Sequence, residues 1–171
     1  MERLIIKARV EGVDFAPVIT SEAGITTAVW TAQPVMLRDD EVTIVEGDPE
    51  ETEVFSHEND APEDYEVSGQ GISATGSFIK ASYAQMATLM GGKIPVDGEG
   101  DPLGMYLHSS KKKVLETAVR FRLKNGGSII LPYAKGSVQF NANVGYDGVL
   151  KHPFRFRALA QGAFETDLIL A

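Results

Sequence analysis

Cysteine is absent from the 171 residues. That excludes a disulfide framework and thiolate metal sites, and makes folding in a reducing cytoplasm the economical expectation. Histidine is scarce: His57, His108 and His152 are scattered with no H-x-x-x-H spacing, and no serine sits in a G-x-S-x-G elbow. Long apolar runs are missing too. The first ten residues are interrupted by Glu2, Arg3, Lys7 and Arg9, so they lack the core of a signal peptide, and no stretch approaches the roughly 20 apolar residues of a transmembrane helix. No membrane role is expected.

Bases are sparse exactly where acids crowd, if charge is followed along the chain. Residues 1–102 hold 20 acids against 6 bases, and residues 103–171 hold 4 acids against 10, within a net charge of −8. Opposite-sign segments folded into one body can lay complementary patches on its surface, so copies can bind head to tail. Such contacts give rings when they close and filaments when they do not. The acidic balance argues against a protein that grips nucleic acid, which needs clustered Lys and Arg.

What is present fits one globular domain: 43% hydrophobic and 23% charged residues, with a length suited to a single core spanning residues 1–171. Strand signals dominate. Val119, Phe121 and Leu123 alternate with Arg120, Arg122 and Lys124, and Asn125-Gly126-Gly127 reverses the chain into residues 128–131. Val138, Phe140, Ala142 and Val144 form a further alternation; residues 150–159 put Phe154 and Phe156 on one face, and residues 164–170 can close the sheet. Shorter strands are expected at 41–46 and 52–57, and a longer one at 65–80. The one persuasive helix is 82–90, with Ser82 and Gln85 as a capping box and Gly91-Gly92 as its stop. Its stripe of Tyr83, Met86, Ala87 and Met90 should lie on the sheet or, less often, on a neighbouring subunit. The expected fold is therefore mainly β, a sandwich or barrel with one short flanking helix.

Residues 46–66 carry ten acids, no Lys or Arg, and the breakers Gly47, Pro49 and Pro62, which reads as a long exposed loop or arm. Glu50, Glu51, Glu53, Glu58, Asp60, Glu63 and Asp64 supply its charge. The basic counterpart is Lys111, Lys112 and Lys113, with the face of Arg120, Arg122 and Lys124 and with Arg155 and Arg157. Tyr83, Met86 and Met90 of the helix join these as candidate interface residues. Catalytic, cofactor and metal sites are not expected. Asp97-Gly-Glu99-Gly-Asp101 has the alternating acids of a calcium loop, but Pro102 takes the position where glycine must turn and His108 the position of the bidentate Glu. Gly69, Gly71 and Gly76 lack the G-x-G-x-x-G spacing and read as strand or bulge glycines.

The order of elements resembles that of phage major tail tube proteins. The segments that carry the resemblance are Gly24-Ile-Thr-Thr-Ala-Val-Trp-Thr-Ala-Gln-Pro34, Thr43-Ile-Val-Glu-Gly47, Ser56-His-Glu-Asn-Asp60, Gly76-Ser-Phe-Ile-Lys80 and the helix ending Ala87-Thr-Leu-Met-Gly-Gly92. The resemblance spans roughly residues 24–170. It implies a tail-tube-like domain that self-assembles into hexameric rings, stacked so that DNA passes through the lumen without specific binding. It also implies tail initiator and tail completion proteins as partners, no cofactor, and a place in the virion tail after synthesis in the bacterial cytoplasm. The arm at 46–66 would reach an adjacent subunit or ring. Two other readings stand beside it: the tube subunit of a contractile injection or type VI secretion system, and a monomeric β-sandwich binding module whose aromatic platform would come from Trp30, Tyr65, Tyr106, Tyr133 and Tyr146.

Overall fold

Alternating apolar residues build most of the strands, and a computed structural model describes residues 9–37, 40–48, 50–54, 64–69, 71–142, 144–145, 148–159 and 164–171. In chain order the elements are β1 (Val10–Ala16), α1 (Glu22–Thr27), β2 (Thr31–Ala32), β3 (Thr43–Glu46), β4 (Glu50–Val54), β5 (Asp64–Ser68), β6 (Ile72–Phe78), α2 (Tyr83–Met90), β7 (Leu115–Leu123), β8 (Ser128–Val138), β9 (Asn141–Ala142), β10 (Leu150–Ala158) and β11 (Ile169–Leu170). The large sheet is antiparallel and runs β2-β1-β7-β8-β10-β6-β3, with β11 beside β8 and β9 beside β10; β4 and β5 pair with each other in a separate two-stranded sheet. The mainly-β expectation holds.

Ring contacts show how the large sheet curls. β1 and β6 are four strand steps apart, about 19 Å in a flat sheet. Yet the Phe15 ring of β1 lies 6.3 Å from Phe78 of β6 and 5.3 Å from Phe156 of β10, both edge-on. The sheet must therefore bend back on itself, as a barrel does. Between its margins runs the segment after β2, where Gln33 N donates to Val13 O at 2.9 Å and Val35 O accepts from Ile79 N at 2.7 Å. One stretch of backbone thus touches both ends of the sheet.

Phenylalanines on β10 fill the interior because their cross-strand neighbours are small. Phe156 faces Ala74 on one side and Gly136 on the other, and Phe154 faces Gly76 and Val138. A Cβ on Gly136 would meet Arg155 O at 2.0 Å, and one on Gly76 would meet the Phe154 ring at 2.6 Å. Any larger residue at either position would push strands apart. Val13, Val119, Phe121 and Leu131 complete this wall, and Met86, Leu89 and Met90 of α2 close it from one side. Full burial of each such side chain is worth roughly 1.5–3 kcal/mol.

The two ends of α2 match the sequence reading. Ser82 Oγ accepts from Gln85 N at 3.2 Å and Gln85 Oε1 accepts from Ser82 N at 2.9 Å, which is the reciprocal capping box; Gly91, at φ 80°, donates to Ala87 O. The buried stripe differs from expectation. It is Met86, Leu89 and Met90, whereas Tyr83 is 48% exposed.

Other expectations need correcting. A second helix, α1, exists: Ser21 caps it by accepting from Gly24 N, but six residues are too few to show an apolar stripe. It lies with Trp30 near Ala16, Ile19 and Ala118, on the sheet face opposite the phenylalanines. β1 was not expected, since Gly12 and Asp14 interrupt its apolar pattern. The strand foreseen at 65–80 is two strands, broken at Gly71, whose φ is 74°. β8 runs on past residue 131 through Pro132, which a register shift accommodates: Thr117 pairs Ala134 but Val119 pairs Leu131, so two residues oppose one. The alternation at 138–144 is not a buried strand face, because Val138 is buried while Phe140 is 51% and Val144 94% exposed.

Candidate functional site

Charge is organised first by the sheet, then by what projects from it. On the face opposite the phenylalanines, register places Asp14 of β1 against Arg120 of β7, with Arg122 two residues on. The Asp14 carboxylate is 4% exposed and accepts from Arg120 at 2.7 Å and sits 3.0 Å from Arg122 Nε. Arg120 also lies 4.6 Å above the Trp30 ring, a cation–π contact. Lys151 of β10 pairs with Asp40 at 2.9 Å. Each of these pairs joins the acidic segment to the basic one inside a single chain. Arg120 and Arg122, expected on an outward basic face, do lie on the outer face but pair there with Asp14 of the same chain.

A further pair, Lys135 with Glu116 at 2.7 Å, spans β8 and β7. The Lys135 hydrogen bond holds the Glu116 carboxyl below its ordinary range, and Glu116 raises Lys135 in return. Arg155 stays exposed on β10 with no carboxylate partner among the described residues.

The triple lysine lies beside the end of α2. Lys113 Nζ donates to Thr88 O and the Tyr106 hydroxyl donates to Gly91 O, so a cation and a phenol satisfy carbonyls left open at the helix C-terminus. Tyr106 further bonds His108 Nδ1 at 3.1 Å and stacks near Tyr83, ring centroids 6.4 Å apart. Lys113 is thereby committed, while Lys111 and Lys112 are exposed and have no carboxylate partner among the described residues. They rim a groove of about 400 Å³ whose floor is Met90, Val138 and Phe140.

Sequence reasoning missed one association here. The rings of His108 and His152 both lie near Phe140, at centroid distances of 6.3 and 6.0 Å. His152 is 1% exposed, and neither ring nitrogen has a hydrogen-bond partner among the described residues. Burial pushes its pKa below the ordinary 6.5, so the neutral form is favoured. Nothing within the β10 sequence marks it, because inward and outward positions there both carry large residues.

Between α2 and the lysines, residues 93–107 form a narrow ribbon. Lys93 and Leu107 exchange backbone hydrogen bonds at 3.0 and 2.9 Å, and Asp97 N donates to Asp101 O. At its tip Asp97 Oδ1 accepts from Glu99 N and Asp101 N, both at 2.9 Å, and these bonds hold its carboxyl below the ordinary range. The calcium-like spacing is thus the capping of a turn. Among the described residues no three His, Cys, Asp or Glu side chains group to hold a metal.

The remaining expected interface residues are dispersed. Met86 and Met90 are correctly placed on α2 but are taken up by the core, at 4% and 3% exposure, so they are not available to a neighbour. Glu50, Glu51, Glu53 and Asp64 lie on β4 and β5, paired Glu50 to Ser68 through Val54 to Asp64, so the expected loop is in part a hairpin. Glu58, Asp60 and Glu63 lie outside the described residues, as do His57 and Tyr146. Trp30 packs near Ala16 and Ala118 beneath Arg120. No helix among the described residues is long and apolar enough to cross a membrane. The chain matches no model of a known protein family, and comparison with curated proteins finds no similar sequence.

Proposed function

We propose that this chain is a structural subunit of a phage tail tube, self-assembling into hexameric rings that stack around a lumen through which DNA passes without specific binding. It acts by association rather than by catalysis. The observation that carries the reading is the acidic β4–β5 hairpin, which among the described residues pairs within itself and with no strand of the large sheet. A two-stranded hairpin is marginal in water on its own, and five acids without a base on these two strands add self-repulsion. Among the described residues both outer strand edges are also without a partner, and so open to pairing. A neighbouring copy, with an excess of bases in residues 103–171, would relieve the repulsion.

The curled sheet, the capped helix after β6 and the order of elements agree with the resemblance to tail tube proteins. Partners in this reading are other copies, then tail initiator and completion proteins, in the virion tail. The charge contacts between copies are individually weak, below about 1 kcal/mol each, and screened by salt. Negative-stain electron microscopy with light scattering, over a wide concentration range at low and high salt, tests the reading. Rings or tubes with six-fold end views that dissociate in salt are expected. A particle that stays monomeric at every concentration and salt, even when seeded with tail initiator, would overturn it and favour a ligand-binding β module.

A further inference from the structure

We infer that the groove rimmed by Lys111 and Lys112 receives the ribbon tip, residues 96–103, of a second copy of this chain. The contact rests on the assembly reading and names one of its interfaces. Four observations carry it. First, Lys111 and Lys112 are exposed with no carboxylate partner among the described residues, whereas neighbouring Lys113 is spent on Thr88 O. Second, the ribbon tip offers two exposed carboxylates, Glu99 and Asp101, while Asp97 is spent on the turn. Two cations and two anions, none ion-paired among the described residues, thus match in number and in opposite sign.

Third, apolar surface matches apolar surface. Val96 and Leu103 flank the tip at 56% and 48% exposure, and the groove floor includes Phe140 at 51% exposure. Charges at the rim with an apolar centre is the arrangement of a specific interface. Fourth, the tip is shaped before contact. Two bonds to Asp97 Oδ1 and Gly100 at φ 93° fix it, so docking orders little extra chain. That favours the ribbon over the β4–β5 hairpin as occupant. Tip and groove are different surfaces of one molecule, so the contact is heterologous and repeats from copy to copy until it closes.

Mixing unlabelled and ¹⁵N-labelled full-length chains at low salt, then joining carboxylates to amines with a zero-length carbodiimide, tests this by mass spectrometry. The expected result is Lys111 or Lys112 linked to Glu99 or Asp101 in mixed-isotope pairs. Links found only within one isotope place the contact inside one chain and overturn it. So do links from these lysines only to acids of residues 46–66, or no link at either lysine. A second arm uses exposed-residue variants whose folding is checked by circular dichroism. Lys111→Glu/Lys112→Glu and Glu99→Lys/Asp101→Lys should each associate at least tenfold more weakly than the parent when alone, and associate when mixed. Failure of the mixture to associate overturns the pairing. Rings that form without any link at Lys111 or Lys112 refute this contact and leave the assembly reading standing, whereas chains that neither link nor assemble, even when seeded with tail initiator, remove both.

Discussion

Asp14 and Glu99 belong to the same acidic segment and are put to opposite uses. Asp14 is 3% exposed, held between Arg120 and Arg122 on the sheet. Glu99 is exposed at the tip of the ribbon. The contrast teaches that the division of charge along the chain overstates what is free for contact between molecules. Part of it is cancelled within the sheet, where antiparallel register sets acid against base. Among the described residues, what remains includes Glu99 and Asp101 on the ribbon, Lys111 and Lys112 beside the groove, and Arg155 on β10.

The contrast predicts that damage to the body unfolds the chain, while damage to the projections leaves folding intact. The largest loss should come from Phe156→Ala, which empties a site enclosed by Ala74 and Gly136. About 3–5 kcal/mol is expected in urea unfolding; a loss below about 1 kcal/mol would mean that the barrel wall collapses freely around the gap. Asp14→Ala comes next, at about 3 kcal/mol, because Arg120 and Arg122 keep their charge and lose their partner. Arg122 is 43% exposed, and the water it reaches holds the figure at the low end. If Asp14→Ala proved as mild as a change at Glu99, the distinction between spent and free acids would fall.

Acid should act through His152. Its folded-state pKa lies below the ordinary 6.5, so the unfolded chain binds the proton more readily. Its contribution is therefore level above about pH 6.5 and stability is lost as pH falls from there toward the depressed folded value, by up to about 1.4 kcal/mol per pH unit. His152→Leu should flatten that decline between pH 6.5 and 5; an unchanged slope would show that carboxylates alone cause it. Ser82→Ala removes one side of the capping box and should cost about 1 kcal/mol, read as a shift in thermal midpoint. Glu99→Gln is the smallest, within about 0.5 kcal/mol of the parent in unfolding, although it should weaken association at low salt.

How far these features were legible in sequence follows from the range of the interactions that make them. α2 was readable at both ends because Ser82, Gln85 and Gly91 act over three or four residues. The strands with period-two patterns were readable as strands. β1 was not, since Asp14 looks misplaced in an apolar run until Arg120 arrives from 106 residues away. Gly71 was read as a strand or bulge glycine without showing which strand would continue, and nothing local said that β8 would run on through Pro132. In the candidate interface, the charges were visible but their commitments were not: nothing local distinguishes Lys113, bound to Thr88 O, from its two neighbours. The meeting of His108, Phe140 and His152 is likewise a product of the fold.

The strand order also has a consequence in time. β1 finds its longer partner in β7, and β6 lies against β10, so the acidic first half can form by itself only the pairs β1–β2, β3–β6 and β4–β5. As the chain leaves the ribosome, residues 10–16 must wait for residues 115–123, and β6 must wait longer still. Such distant pairings make folding slow and leave strand edges open during synthesis. In that interval the surplus of acids on the nascent chain opposes its sticking to others like itself, so the same charge serves the chain before it has folded.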